Sequence, residues 1–192
     1  MNKSLLVAGF GAFPGHAVNP AQKVVESLAR RKAAFGLAGI DLHVAVLPVE
    51  YEALSPLLCR LFVEKMPDAV LLLGVAARRK SLSIETVAHN RVSLLRPDAA
   101  KQRAWSRFIV HGGQATLSSP CPAARLVALA RKAGLPARLS RDCGDYLCNE
   151  GFYLSLLMDR RASFVHLPDW RGKRLDQAAR AVEVMAKALV LP

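Results

Sequence analysis

Apolar and polar positions along the chain follow two periods, one of two residues and one of three to four. Leu5, Leu6, Val7 and Ala8 form a continuous apolar run ending at Gly9, the pattern of a strand buried on both faces. After a loop over Phe10 to Val18, Asn19-Pro20 opens a helix. Asparagine can cap free amides, proline fits the first turn, and Val24, Val25 and Leu28 supply one apolar face before a basic end at Arg30 to Lys32. In Ile40 to Leu47 the alternation of Asp41, His43 and Ala45 with apolar residues predicts a strand with one more polar face. Tyr51 to Met66 is predicted helical, burying Leu54, Leu57, Leu58, Leu61 and Phe62, and Pro67-Asp68 leads into a second buried strand, Ala69 to Leu73, closed by Gly74.

The middle of the chain is less regular. Ser81 to Ala88 and Asn90 to Leu94 read as extended, and Pro97 to Gly113 as a polar loop with a short strand at Phe108 to Val110. A helix from Cys121-Pro122 through Ala133, a strand at Ala137 to Leu139, a helix over Leu147 to Met158 and a strand at Ala162 to His166 follow. Beyond a polar turn at Asp169 to Lys173, Leu175, Ala178, Val182, Met185 and Leu189 recur on one face of a last helix. Repeated strand-helix alternation without an internal repeat predicts one α/β domain over residues 1–192: a three-layer α/β/α sandwich with a mostly parallel or mixed central sheet. Functional loops in such a fold lie past the strand C-termini.

Composition narrows the class. With 52% hydrophobic and 22% charged residues, the chain can bury one sizeable core and has no need of disulfide staples. No apolar run reaches the roughly 18 residues of a membrane span, so no membrane partner is expected. Ser4 to Phe13 is broken by Ala8, Gly9 and Gly11 and runs straight into Pro14, a poor signal-peptide core. Cys59, Cys121, Cys143 and Cys148 lack zinc-like pairing with histidine, so reduced thiols and a cytoplasmic location are expected, with no metal or organic cofactor. The 27 Lys and Arg against 15 Asp and Glu give a formal charge of +12. That excess is dispersed at Arg30 to Lys32, Arg78 to Lys80, Arg160-Arg161 and Arg171 to Arg174, with no recognition-helix pattern and no basic stripe interleaved with aromatics. Nucleic acid is therefore not the expected partner.

The residues richest in chemistry are Asp142 to Asn149, where Cys148 enters a helix whose first amides favour a thiolate. A cysteine is as readily a small buried hydrophobe, and Cys143 competes with Cys148. His166, at the C-terminal end of a strand, can reach a neighbouring loop's thiol as its base, or can equally be a core or capping histidine. An acid is needed to hold such a ring; Glu85 is one candidate, with Asp142, Asp145 and Asp169 as rivals, although Glu85 also reads as a solvated loop charge. Gly9 to Gly15 lacks the glycine spacing of a dinucleotide loop and the Lys-Ser/Thr pair of a phosphate loop, while Phe10 and Phe13 suit the rim of a core or a small apolar pocket.

Together these segments resemble the pyroglutamyl-peptidase I family of cysteine peptidases over most of the chain. The resemblance rests on Gly9-Phe10 with Phe13 and Asn19-Pro20, Pro67-Asp68 before the strand to Gly74, Ile84 to Asn90, Asp145-Tyr146-Leu147-Cys148-Asn149, and Phe164 to Pro168. It implies hydrolysis of the amide bond after an N-terminal 5-oxoproline, so the expected partner is a peptide with a blocked N-terminus. It also implies Cys148 rather than Cys143 as nucleophile, His166 as its base and Glu85 as the group orienting His166. Phe10, Phe13, Val75, Tyr146 and Leu147 would contact the substrate. Self-association as a homotetramer or homodimer is implied as well. Two segments differ: the family's Gln-Ala-Gly-Gly-Arg appears as Val75-Ala76-Ala77-Arg78-Arg79, and its Arg-Ile-Pro-Asp as Leu95-Arg96-Pro97-Asp98. His166 follows Cys148 by only 18 positions, fewer than the family leads one to expect. The alternatives are a catalytically altered homologue that binds a small molecule or peptide N-terminus, and a basic protein associated with nucleic acid.

Overall fold

A computed structural model describes residues 2–13, 15, 17–158 and 161–191. Pro14 of the expected first loop and Arg160 of the expected basic pair lie outside the described residues. The elements run β1 (Lys3–Phe10), α1 (Pro20–Ala29), α2 (Lys32–Gly36), β2 (Ile40–Leu47), α3 (Tyr51–Lys65), β3 (Ala69–Val75), β4 (Leu82–Glu85), β5 (Val87–His89), β6 (Thr116–Ser118), α4 (Ala123–Lys132), β7 (Ala137–Ser140), α5 (Leu147–Leu157), β8 (Ala162–Leu167) and α6 (Gly172–Val190). Six strands form one sheet in the order β2-β1-β3-β8-β4-β7, and β5 pairs with β6 in a small antiparallel ribbon. Within the large sheet β2, β1, β3 and β8 are parallel, while β4 runs antiparallel to β8 and carries β7 parallel to itself.

Strand parity sorts the apolar residues onto two faces, because successive side chains point to opposite sides. Leu5, Val7, Leu71, Leu73, Val165 and Leu167 pack under α1, α2, α4 and α6; Leu6, Ala8, Phe10, Val70, Leu72 and Phe164 pack under α3 and α5. The central sheet is thus sandwiched between two helical layers, as its continuous apolar strands require. Asn19 caps α1 as expected: its Oδ1 accepts from Ala21 N at 2.9 Å, and its Nδ2 donates to Gly11 O at 2.8 Å, tying the helix start to the end of β1. Among the described residues no helix is long and apolar enough to cross a membrane.

Several local expectations are corrected. The basic end of α1 instead breaks at Ala29 and restarts as the five-residue α2. Val44 and Val46 of the edge strand β2 are exposed, and its buried apolar residues are Ile40, Leu42 and Leu47. Asn90 to Leu94 and Phe108 to Val110 are loop rather than strand, and the three-residue β6, too short to show a period, pairs with β5. α6 begins at Gly172, within the expected polar turn.

The loop over 90–113 is nonetheless firmly held. The buried Asn90 bonds Val110 N, Val110 O and Gly113 O, and Asp98 Oδ2 accepts from Tyr51 N at 3.0 Å, capping α3 from a distant segment.

Candidate active site

The C-terminal ends of β3 and β8 meet the start of α5 on the α3/α5 face of the sheet. Gly74 of β3 is the register partner of His166 of β8, and Cys148 is the second residue of α5. A Cβ at Gly74 would lie 2.8 Å from both Cys148 Sγ and the Phe164 ring, so only glycine lets the thiol settle beside the strand at this point. Gly74→Ala is expected to destabilise the fold by about 1–3 kcal/mol through overpacking, read by denaturant unfolding. Unchanged stability would mean that the thiol and ring move aside freely.

Glu85 does not sit in a loop. Because β4 is antiparallel to β8, Ser83 faces His166 while Glu85 faces Phe164, two pairs deeper in the sheet, and Glu85 is completely buried. Its Oε1 lies 2.8 Å from His166 Nδ1. The rivals are turned elsewhere: Asp142 lies 3.6 Å from Arg91, Asp145 3.4 Å from Arg96 and Asp169 3.4 Å from Arg171. The His166 ring also stacks at a tilt on Phe164, with centroids 4.7 Å apart.

Arg79 completes this buried cluster; in the sequence it stood out only within the basic group Arg78 to Lys80 and the divergent segment Val75 to Arg79. Its Nη1 donates to Glu85 Oε1 and its Nη2 to Asp142 O, so it joins β4 to the loop that leads into α5. The available signal was the arginine that survives in Val75-Ala76-Ala77-Arg78-Arg79. Asn149 was also missed. Fully buried, it donates to His89 O and Arg91 O and accepts from His89 N, fastening the segment after β4 to the turn of helix that carries Cys148.

Cys148 and His166 line one cavity of about 520 Å³ together with Phe13, Val75 to Arg79, Arg96 and Asp142 to Tyr146. A second, smaller cavity of about 50 Å³ is lined by Phe10, Phe13, Asn19, Val49, Val75, Tyr146, Leu147 and Cys148. All five residues expected to contact a substrate therefore gather around the smaller cavity, with Cys148 on the boundary between the two. Tyr146 is fixed there by its hydroxyl, which donates to Pro97 O at 2.9 Å, and by edge contact with Tyr51.

The charge state of the thiol departs from the expectation. Burial, reinforced by the Glu85 carboxylate and only partly offset by Arg79, pushes the Cys148 thiol up to about 12. A helix N-terminus offers about 0.3–1 kcal/mol, less than one pH unit, so desolvation wins and the resting group is a thiol. Burial likewise lowers His166 below its ordinary value despite its bond to Glu85. Glu85 itself is held below the usual carboxylate value: burial opposes ionisation, and the bonds from His166 and Arg79 prevail. Cys143 is buried in the core beside Leu147 and Phe164, and burial raises its thiol well above normal.

A buried carboxylate-imidazole pair opening onto a cavity shared with a cysteine at a helix start is a geometry known in peptidases. The sequence model of the pyroglutamyl peptidase family matches residues 3–189. The chain belongs to that family. Among its relatives, the pyrrolidone-carboxylate peptidase of Thermococcus kodakarensis is 30% identical over 193 residues, covering 96% of this chain and 91% of the relative. Among solved structures, the pyrrolidone carboxyl peptidase of Thermus thermophilus superposes with a TM-score of 0.83 at 36% identity, covering 97% of this chain and 98% of the other. Pyroglutamyl peptidase I of Bacillus amyloliquefaciens superposes with a TM-score of 0.88 at 27% identity over 100% of this chain and 97% of the other. The family's fold, a mixed α/β sandwich, is the one described above.

Proposed function

We propose that this family member is a cysteine peptidase that removes an N-terminal pyroglutamyl residue, with Cys148 as nucleophile, His166 as general base and acid, and Glu85 as the group that positions His166. The observation carrying this reading is the buried 2.8 Å contact from His166 Nδ1 to Glu85 Oε1, with His166 and Cys148 on one cavity wall. A proton on Nδ1 donated to the carboxylate leaves Nε2 as the free base.

Chemistry then follows from the resting thiol. As Sγ attacks the carbonyl carbon, its proton passes to His166 Nε2, so the thiolate never has to exist alone in a desolvated site. The first amides of α5, which no side chain caps, face the developing oxyanion. Collapse breaks the C–N bond, and His166 returns the proton to the leaving amine. Water, deprotonated by the same nitrogen, splits the thioester and releases pyroglutamate.

The uncharged lining of the smaller cavity suits a lactam ring and gives no counter-charge to a free N-terminal ammonium, whose desolvation would go uncompensated. Val75, at the end of β3, offers backbone groups to the ring's N–H and carbonyl. Four unpaired cysteines fit a cytoplasmic setting, residues 1–192 are read as one domain, and self-association as a homodimer or homotetramer is inferred from the resemblance alone.

The test compares aminomethylcoumarin amides capped with pyroglutamate, proline and alanine. We expect turnover of the pyroglutamyl amide at least about 100-fold above the others, the discrimination that an uncompensated buried charge can supply. Equal or faster cleavage of the prolyl amide would overturn the substrate, and no turnover of any cap would favour a binding protein.

A further inference from the structure

The two cavities meet at Cys148 but differ in charge. Residues lining the smaller one carry no formal charge, whereas Arg78, Arg79, Arg96, Asp142 and Asp145 all line the larger. His166, which returns a proton to the leaving amine in the reading above, lines only the larger cavity. An acyl group held in the small cavity therefore directs the rest of the peptide into the charged one.

Within that cavity the cations are not equivalent. Arg79 is engaged by Glu85 and by Asp142 O, and Arg96 lies 3.4 Å from Asp145. Asp142 in turn has Arg91 at 3.6 Å. Arg78 is exposed and has no hydrogen-bond or ion-pair partner among the described residues. It stands on the turn after β3, closed by Arg79 N donating to Ala76 O at 2.9 Å, so its backbone is fixed even though its guanidinium is open. An unengaged guanidinium beside the leaving-group channel is matched by a planar carboxylate, which it can bind through two parallel N–H donors.

Resting on the proposed pyroglutamyl peptidase activity, we propose that Arg78 makes the leaving-group side a carboxylate subsite, so that preferred substrates carry a carboxylate on the residue immediately after pyroglutamate. That carboxylate is either an acidic side chain or the free C-terminus of a pyroglutamyl dipeptide. The formal charge of +12 draws such substrates toward the protein, and Arg78 selects among them at the site.

The test measures kcat/KM for pyroglutamyl-Glu-amide against pyroglutamyl-Gln-amide, and for pyroglutamyl-Ala with a free carboxylate against its amide. At low salt the wild type is expected to favour the anionic member of at least one pair by about three- to fivefold, the scale of an exposed charge pair, with the preference shrinking as salt is added. In Arg78→Ala the ratio should fall to about one, in Arg78→Lys it should be partly restored, and in Arg30→Ala, which removes the same charge far from the site, it should stay at the wild-type value. The responsive pair identifies which carboxylate is bound. A wild-type ratio near one, or a ratio that survives Arg78→Ala, overturns the subsite while leaving the peptidase reading intact. Failure to cleave all four compounds overturns that reading and the subsite with it.

Discussion

Cys148→Ala lowers kcat on a pyroglutamyl amide by about four orders of magnitude or more, the scale seen when a covalent nucleophile is removed. Among the described residues that line both cavities, the one hydroxyl is that of Tyr146, which donates to Pro97 O and whose ionisation burial pushes up to about 12, so it is no substitute for the thiol as acyl acceptor. The fold should persist, because the sulfur contributes one contact beside Gly74 and Phe164, and thermal midpoints should shift by less than about 4 °C. Cys143→Ala separates the two thiols. It trims the core at a cost of about 1 kcal/mol and should retain at least about a third of wild-type turnover, since its thiol takes no part in the acyl chemistry. Loss of activity in Cys143→Ala with activity preserved in Cys148→Ala would reverse the assignment.

Glu85→Gln is expected to lower kcat by about 10²–10⁴-fold, because the amide keeps the shape of the carboxylate but no longer enforces the Nδ1–H tautomer or stabilises the imidazolium. The same change leaves Arg79 beside an uncharged partner in a largely buried position. Stability should therefore fall by about 2–4 kcal/mol, below the cost of stranding a fully buried charge because Asp142 O still accepts from the guanidinium. Replacing Arg79 by Met in the Glu85→Gln background should recover part of that stability and none of the activity, so unfolding and turnover experiments separate the structural from the chemical role.

The pH dependence has a definite sign. Activity requires neutral His166, whose value burial holds below 6.5, so kcat/KM should be flat at neutral pH and fall only as pH drops through that lowered value. Glu85→Gln removes the charge that favours the imidazolium and moves this acid limb to still lower pH. Folding stability follows the same direction. Glu85 and His166 both have folded values below their unfolded ones, so each contributes fully above its unfolded value, about 4.5 and 6.5, and loses that contribution as pH falls through the folded value. An acid limb that does not move in Glu85→Gln would show that the carboxylate does not act on the ring.

Much of the fold was legible because elements and buried faces are written in local periods. The unbroken runs Leu5 to Ala8 and Ala69 to Leu73 became two adjacent interior strands, β1 and β3, Asn19-Pro20 opened α1, and α5 begins at Leu147 as expected. The elements that were missed, α2 and β6, are five and three residues long and too short to display a period.

The sequence by itself determined the order of the longer elements, the sandwich class, and the set of side chains able to perform thiol chemistry, since residue type and spacing carry those. Only the tertiary structure decided how that chemistry is held. Reversal of β4 sinks Glu85 into the sheet, a consequence of strand order that no local pattern around Ile84-Glu85-Thr86 records. The assembled fold also joins Arg79 to Glu85 and to the loop before α5, parts two cavities at Cys148, and half-buries Cys148 until desolvation outweighs the helix end. Each of these depends on which distant groups exclude water from a side chain, and desolvation is a property of the assembled fold rather than of the residue or its neighbours in the chain.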